Sequence, residues 1–161
     1  MLSVLLTYFT YLLYLGASVD ASDRWGRTPL VYATQAASAG DAAALAVMRE
    51  LLMHAAPTAA DDDKGRLPLH YAGHASACHL LLQHGGPSGP SDTIGHADRQ
   101  GRTPLAYAVR LQPRWRRSTV VLALIAAGAR TDCLSTRDRC RFSRCVERCE
   151  TTRGELWKAR S

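Results

Sequence analysis

Aromatic residues are scarce in this chain of 161 residues, at 7%, with 2 Phe, 3 Trp and 6 Tyr. Single-stranded nucleic acid is held by basic grooves with aromatics interleaved for stacking, and neither that pattern nor a recognised nucleic-acid motif occurs. Nucleic acid is therefore set aside as a partner. The formal net charge of +6 comes mostly from Arg and favours acidic protein surfaces. Cysteine is sparse too: of 5, Cys78 stands alone, and Cys133, Cys140, Cys145 and Cys149 follow at spacings of seven, five and four. That is no disulfide framework spread over a small secreted domain, so a reduced, cytoplasmic or otherwise intracellular setting is expected. The spacings also lack the paired Cys-x₂₋₄-Cys knuckles of common zinc sites, and no metal or cofactor is expected. Nowhere do a nucleophile, a base and an oxyanion donor occur as a set, so no catalysis is expected either.

Long apolar runs are nearly absent. The one candidate, residues 1–15, is uncharged and reads Met-Leu-Ser-Val-Leu-Leu-Thr-Tyr-Phe-Thr-Tyr-Leu-Leu-Tyr-Leu. It lacks the basic flank of a secretory signal and falls short of the about 20 apolar residues of a membrane span. Insertion of these residues in lipid stays as a competing reading, in which the chain is membrane-associated.

What is present is a repeat. Asp23-Arg24-Trp25-Gly26-Arg27-Thr28-Pro29-Leu30-Val31-Tyr32-Ala33 recurs as Asp62-Asp63-Lys64-Gly65-Arg66-Leu67-Pro68-Leu69-His70-Tyr71-Ala72. It returns again as Asp98-Arg99-Gln100-Gly101-Arg102-Thr103-Pro104-Leu105-Ala106-Tyr107-Ala108. Asp followed by Gly three residues on predicts a type I turn, with the carboxylate bonding backbone amides. Thr-Pro then predicts a helix start: the Thr28 and Thr103 hydroxyls are expected to cap first-turn amides, and Pro29 and Pro104 to take the first helical position. Leu67 replaces Thr in the second copy, which loses that cap. Leu and Ala three residues apart share a helix face, and the small Ala admits a close neighbour.

A second helix ending follows each copy, and one precedes the first: Leu12-Leu13-Tyr14-Leu15-Gly16-Ala17, Leu51-Leu52-Met53-His54-Ala55-Ala56, Leu81-Leu82-Gln83-His84-Gly85-Gly86 and Leu124-Ile125-Ala126-Ala127-Gly128-Ala129. Turn, Thr-Pro-Leu-x-x-Ala helix and Leu-rich second helix together resemble the ankyrin repeat over about residues 8–132. The resemblance implies an all-α solenoid of stacked helix-turn-helix pairs with finger loops. Residues 1–21 are read as the second helix of an incomplete repeat, 22–60, 61–97 and 98–132 as repeats, and 133–161 as a basic, Cys-containing capping helix or tail. A first repeat without a polar outer face suggests that the chain begins inside a longer array or needs a partner there.

The period departs from the family's about 33 residues: Gly26 to Gly65 is 39 residues and Gly65 to Gly101 is 36. The expected causes are an insertion near residues 38–43 between the helices of copy one, a mobile finger loop over 87–97, and a basic inter-helix loop from Gln112 to Ser118. Phe142, Val146 and Cys149 form a helical stripe that predicts a capping helix over 136–150, with a frayed tail and a zinc site as competing readings.

His70 and His74 sit four apart, as metal ligands on one helix face would, but lack a third ligand nearby, and structural hydrogen bonding is favoured. Cys78, with His74 and His79 beside it, is read as a buried hydrophobe. Partner contacts are expected on the fingers. Arg27, Arg66 and Arg102 each follow the turn glycine and should form a ladder at about 10 Å intervals. Arg24, Trp25, Lys64, Arg99 and Gln100 lie on the same turns, and Arg114-Trp115-Arg116-Arg117 sets an aromatic among cations. The resemblance implies protein recognition through fingers and inner first helices, without catalysis; a regulatory ankyrin fragment of a larger enzyme is the remaining alternative.

Overall fold

The structure, a computed structural model, describes residues 16–39, 41–85, 90–111 and 114–143. In chain order its elements are α1 (Pro29–Ala39), α2 (Ala42–Met53), a single 3₁₀ turn (Pro68–Tyr71), α3 (Ala75–Gln83), α4 (Pro90–Gly95), α5 (Pro104–Leu111) and α6 (Arg114–Ala126). A further helical segment, α7, covers residues 136–143, and no strand occurs among the described residues.

Proline sets where the inner helices start: α1, the 3₁₀ turn and α5 each open on the motif proline, whose fixed φ and missing donor suit that position. The threonines before them do not cap as expected. Thr28 Oγ1 and Thr103 Oγ1 are buried without a partner; the Val31 amide, three residues on, goes to the Thr28 carbonyl at 3.0 Å, and the Thr103 carbonyl accepts the ordinary helical amide of Tyr107 at 3.2 Å. In copy two, where Leu67 replaces Thr, the side-chain cap is lost as expected, and the Leu67 amide itself donates to His70 Nδ1 at 3.1 Å.

The motif leucines Leu30, Leu69 and Leu105 are all buried, as are Ala33, Ala72 and Ala108 three residues on. They meet Met48 and Leu51 of α2, Cys78 and Leu81 of α3, and Val120, Val121 and Leu124 of α6 in one continuous core. Each fully buried Leu contributes about 1.5–3 kcal/mol relative to exposure, so stacking, more than helix propensity, holds these short helices.

The irregular spacing is absorbed differently from the expectation. Around residues 38–43 the extra residues of copy one lengthen helices: α1 runs to Ala39, and Asp41 caps α2 by accepting the Ala43 amide at 2.9 Å. The added turn carries Ser38, whose hydroxyl accepts the Gly73 amide at 2.6 Å and lies 2.8 Å from the Tyr71 carbonyl. It thereby ties α1 to the end of the 3₁₀ turn in copy two. Within the 87–97 segment, α4 is helical and buries Thr93 and Ile94. In place of a basic loop from Gln112 to Ser118, α6 already begins at Arg114.

After Asp132 the chain caps the stack with α7. Leu134 is buried and Phe142 packs on the core, while Val146 and Cys149 fall outside the described residues. Asp138, 1% exposed, receives Arg110 Nε of α5 on both carboxylate oxygens, at 2.8 and 2.9 Å, and the Ser135 hydroxyl at 2.6 Å. The apolar stretch 1–15 also lies outside the described residues; among those described, no helix is long and apolar enough to cross a membrane.

Gly65 and Gly101 share φ +71, but a Cβ on Gly65 would stand 3.1 Å from the Arg99 backbone nitrogen, whereas one on Gly101 would meet nothing within 4 Å. Gly101→Ala is therefore expected to cost about 1–2 kcal/mol of unfolding free energy from the left-handed backbone alone. Gly65→Ala should cost about 1 kcal/mol or more beyond that, since it also wedges two fingers apart. Urea unfolding of both variants checks this, and equal losses would remove the finger-to-finger contact from the account.

Candidate functional site

Each finger is a tight turn closed by two backbone bonds. Asp62 N donates to Arg66 O at 3.1 Å and Gly65 N to Asp62 O at 2.7 Å, with the same pair in the other two copies. Gly26, Gly65 and Gly101 supply the positive φ, at 73°, 71° and 71°. The aspartate carboxylate organises the interior. Its Oδ1 accepts the amides two and four residues on: Trp25 and Arg27 for Asp23, Lys64 and Arg66 for Asp62, Gln100 and Arg102 for Asp98. Its Oδ2 accepts a tyrosine hydroxyl from the inner helix or turn: Tyr32 at 2.7 Å, Tyr71 at 2.5 Å, Tyr107 at 2.7 Å. Successive fingers are joined by Asp63 N to Trp25 O and Arg99 N to Lys64 O, both 3.0 Å.

These geometries change the standing of the arginine ladder. Arg66 donates through Nε and Nη2 to Asp62 Oδ2 at 3.0 and 2.8 Å, and Arg102 grips Asp98 likewise at 3.1 and 3.0 Å. Their guanidiniums lie over the Tyr71 and Tyr107 rings at 4.7 and 4.8 Å. The Arg66 side chain is 13% exposed and that of Arg102 28%. Both are therefore committed within the fold, each neutralising the buried turn aspartate four residues before it. Arg27 behaves differently: among the described residues it forms no ion pair, and its Nε is buried without an acceptor.

The other finger residues are outward. Arg24, Trp25, Lys64, Arg99 and Gln100 are all exposed. Arg114, Trp115, Arg116 and Arg117 occupy the first turn of α6, and their side chains fall outside what is described. Tyr32, 44% exposed on α1, was not singled out by the sequence reading. The signal for the tyrosines was available: one recurs nine residues after the turn Asp in every copy.

His70 is structural. Nδ1 accepts the Leu67 amide, which leaves Nε2–H to donate to Arg102 O of the next repeat at 3.2 Å. Tyr107 and His96 pack edge-on against its ring, at 5.4 and 6.0 Å between centroids. Burial pushes its pKa down to about 4, against the pull of the Arg102 carbonyl. His74 lies outside the helical turn that was expected to carry both histidines and instead caps α3, accepting the Ser76 amide at 3.3 Å. Cys78 is fully buried, and burial raises its thiol pKa to about 12; His79 is exposed. Among the described residues no three His, Cys, Asp or Glu side chains converge as a metal site would require.

Stacked helix pairs with paired finger turns define a helical repeat solenoid, a class whose surface and not its core carries specificity. The family described as Ankyrin repeats (3 copies) matches the chain over residues 6–89 and 45–135. The chain belongs to the ankyrin repeat family, whose members generally serve as protein-protein interaction modules. No curated protein matches it.

The knots also fix a pH dependence. Burial works against the Asp62 and Asp98 carboxylates, yet the bonds from Arg66, Tyr71 and two amides, and from Arg102, Tyr107 and two amides, hold both at about 2. A neutral His70 disfavours protonation, since a proton on Nδ1 would face the Leu67 N–H. Above pH 6.5 His70 is neutral folded or unfolded. Between 6.5 and about 4 only the unfolded chain takes up its proton, so stability falls as pH falls, by roughly 3 kcal/mol in all. Below the ordinary aspartate value of 3.8 the two carboxylates add their loss, complete near 2. Urea midpoints across this range should show both phases, and His70→Gln should flatten the upper one alone.

Proposed function

We propose that the chain is a non-catalytic recognition module that binds an acidic surface of a protein partner along its finger edge and inner helices. The observation that carries this is the pair of backbone bonds joining the three fingers, which fix Arg24, Trp25, Lys64, Arg99 and Gln100 as one exposed edge. A rigid row of this kind loses little entropy when a partner docks. Asp61 and Asp63 are exposed on the second finger, so positive charge is strongest at the first and third. The reading carries with it a reducing, intracellular setting, in which disulfides are rare.

The test is charge reversal on the exposed row, Arg24→Glu with Lys64→Glu and Arg99→Glu. These positions make no internal ion pair among the described residues, so the melting temperature should hold. Cross-linking and mass spectrometry should identify a protein bound by wild type, with binding that weakens as salt rises and drops about tenfold or more in the triple variant. Unchanged binding would remove the finger edge from the proposal.

A further inference from the structure

The three fingers are built on one plan but differ at one position. Trp25, Lys64 and Gln100 are equivalent, each just before the turn glycine. Where that residue is Lys or Gln, the arginine after the glycine folds back onto its aspartate with two bonds. Where it is Trp, the arginine does not: Arg27 stands 5.5 Å from the Trp25 ring and 6.0 Å from that of Tyr32, and Asp23 is left to Tyr32 and two amides. Arg24 lies over the same indole at 4.1 Å. Finger one thus gathers, around two aromatics, two guanidiniums that make no ion pair among the described residues, with Trp25 at 45% and Tyr32 at 44% exposure.

An arginine whose Nε has no acceptor gains a charge-assisted bond by turning to an incoming anion, in exchange for its contact with the Tyr32 hydroxyl. Trp, Tyr and Arg are also the residue types that dominate binding energy at interfaces, because they combine large area with specific polar contacts. Asp63 is the acid beside this finger, its carboxylate flanking Gly26, and Arg24 with Lys64 supplies compensating charge.

Resting on the reading of the chain as a protein-recognition module, we infer that finger one is the seat of that recognition and that the partner presents an Asp or Glu side chain next to an apolar one. The carboxylate pairs with the guanidinium of Arg27, and the apolar group packs on Trp25 and Tyr32. The second and third arginines hold the fold and take no part in this contact.

The experiment pans a randomised dodecapeptide display library against the full chain, then measures the dissociation constant of the enriched peptide, synthesised with a fluorophore. Enriched sequences should carry Asp or Glu beside an aromatic or aliphatic residue. Arg27→Gln and Trp25→Gln should each weaken that peptide about tenfold or more, while Arg49→Gln, exposed on the outer helix α2, should change it less than about twofold. Arg27→Gln should leave the melting temperature where it is, and Trp25→Gln should hold or raise it as Arg27 falls back onto Asp23, so loss of fold cannot explain loss of binding. Enrichment of peptides without acids, or a dissociation constant insensitive to Arg27→Gln, would overturn the assignment of finger one and leave protein recognition standing. Failure to enrich any peptide would overturn both.

Discussion

The carboxylate at the start of each finger is the group on which the architecture depends. A finger is a short excursion with almost no apolar surface of its own, so burial cannot shape it. Asp62 and Asp98 do so instead, each 3–5% exposed as a residue and fully bonded: two amides on one oxygen, a tyrosine hydroxyl and a guanidinium on the other. Burying a charge this deeply is unfavourable unless every lone pair is used. That requirement makes the arrangement cooperative. The amides fix the turn, the tyrosine fixes the inner helix or 3₁₀ turn against it, and the arginine closes the opening over the tyrosine ring.

From this follows how the repeats add. Each knot holds a finger at a set angle to its own first helix or turn, and one backbone bond per step, Asp63 to Trp25 and Arg99 to Lys64, carries that angle onward. Helix length is then free to vary. Copy one spends its extra residues on α1 and uses Ser38 to stop the next repeat's 3₁₀ turn, while copy two shrinks its first helix to four residues. At the far end no fourth finger covers Gly101 among the described residues, and α7 closes the helical side with the Arg110–Asp138 pair. A solenoid needs such an end because each repeat is stabilised mainly by its neighbours.

Much of this was legible in the sequence. Asp and Gly three apart, Pro at the helix start, and Leu and Ala on one face are local rules that the recurring copies reinforce, so the turns, the starts and the core could be read directly. Side-chain pairing was not local. Whether Arg66 is free or bound depends on Asp62 behind it and on Tyr71 five residues ahead, brought together only after the inner turn folds back. Thr28 and Thr103 precede their helices as caps should, yet their hydroxyls take no amide, which residue type alone does not decide. Asp138 carries no local signal: its pairing with Arg110 spans 28 residues and belongs to packing. Insertions were misplaced for a related reason: an added residue can lengthen a helix as readily as a loop, provided that a neighbour supplies contacts for the added turn.

Repetition itself separates what the fold requires from what it leaves open. A residue that recurs with the same partners in each copy is explained by stacking, and Arg66 with Arg102 is such a case despite being charged and near the surface. Trp25 is the opposite case: it breaks the pattern, and with it breaks the pairing that the neighbouring copies use to neutralise Asp62 and Asp98. The first finger therefore keeps a less buried carboxylate, satisfied by Tyr32 and two amides, and an arginine with a covered donor and no acceptor. A buried donor without an acceptor is costly, and Arg66 and Arg102 show the pairing that the other two copies use in its place. In repeat proteins of this kind, the side chain that fails to repeat its own contacts is a sharper pointer to a binding site than charge or exposure alone.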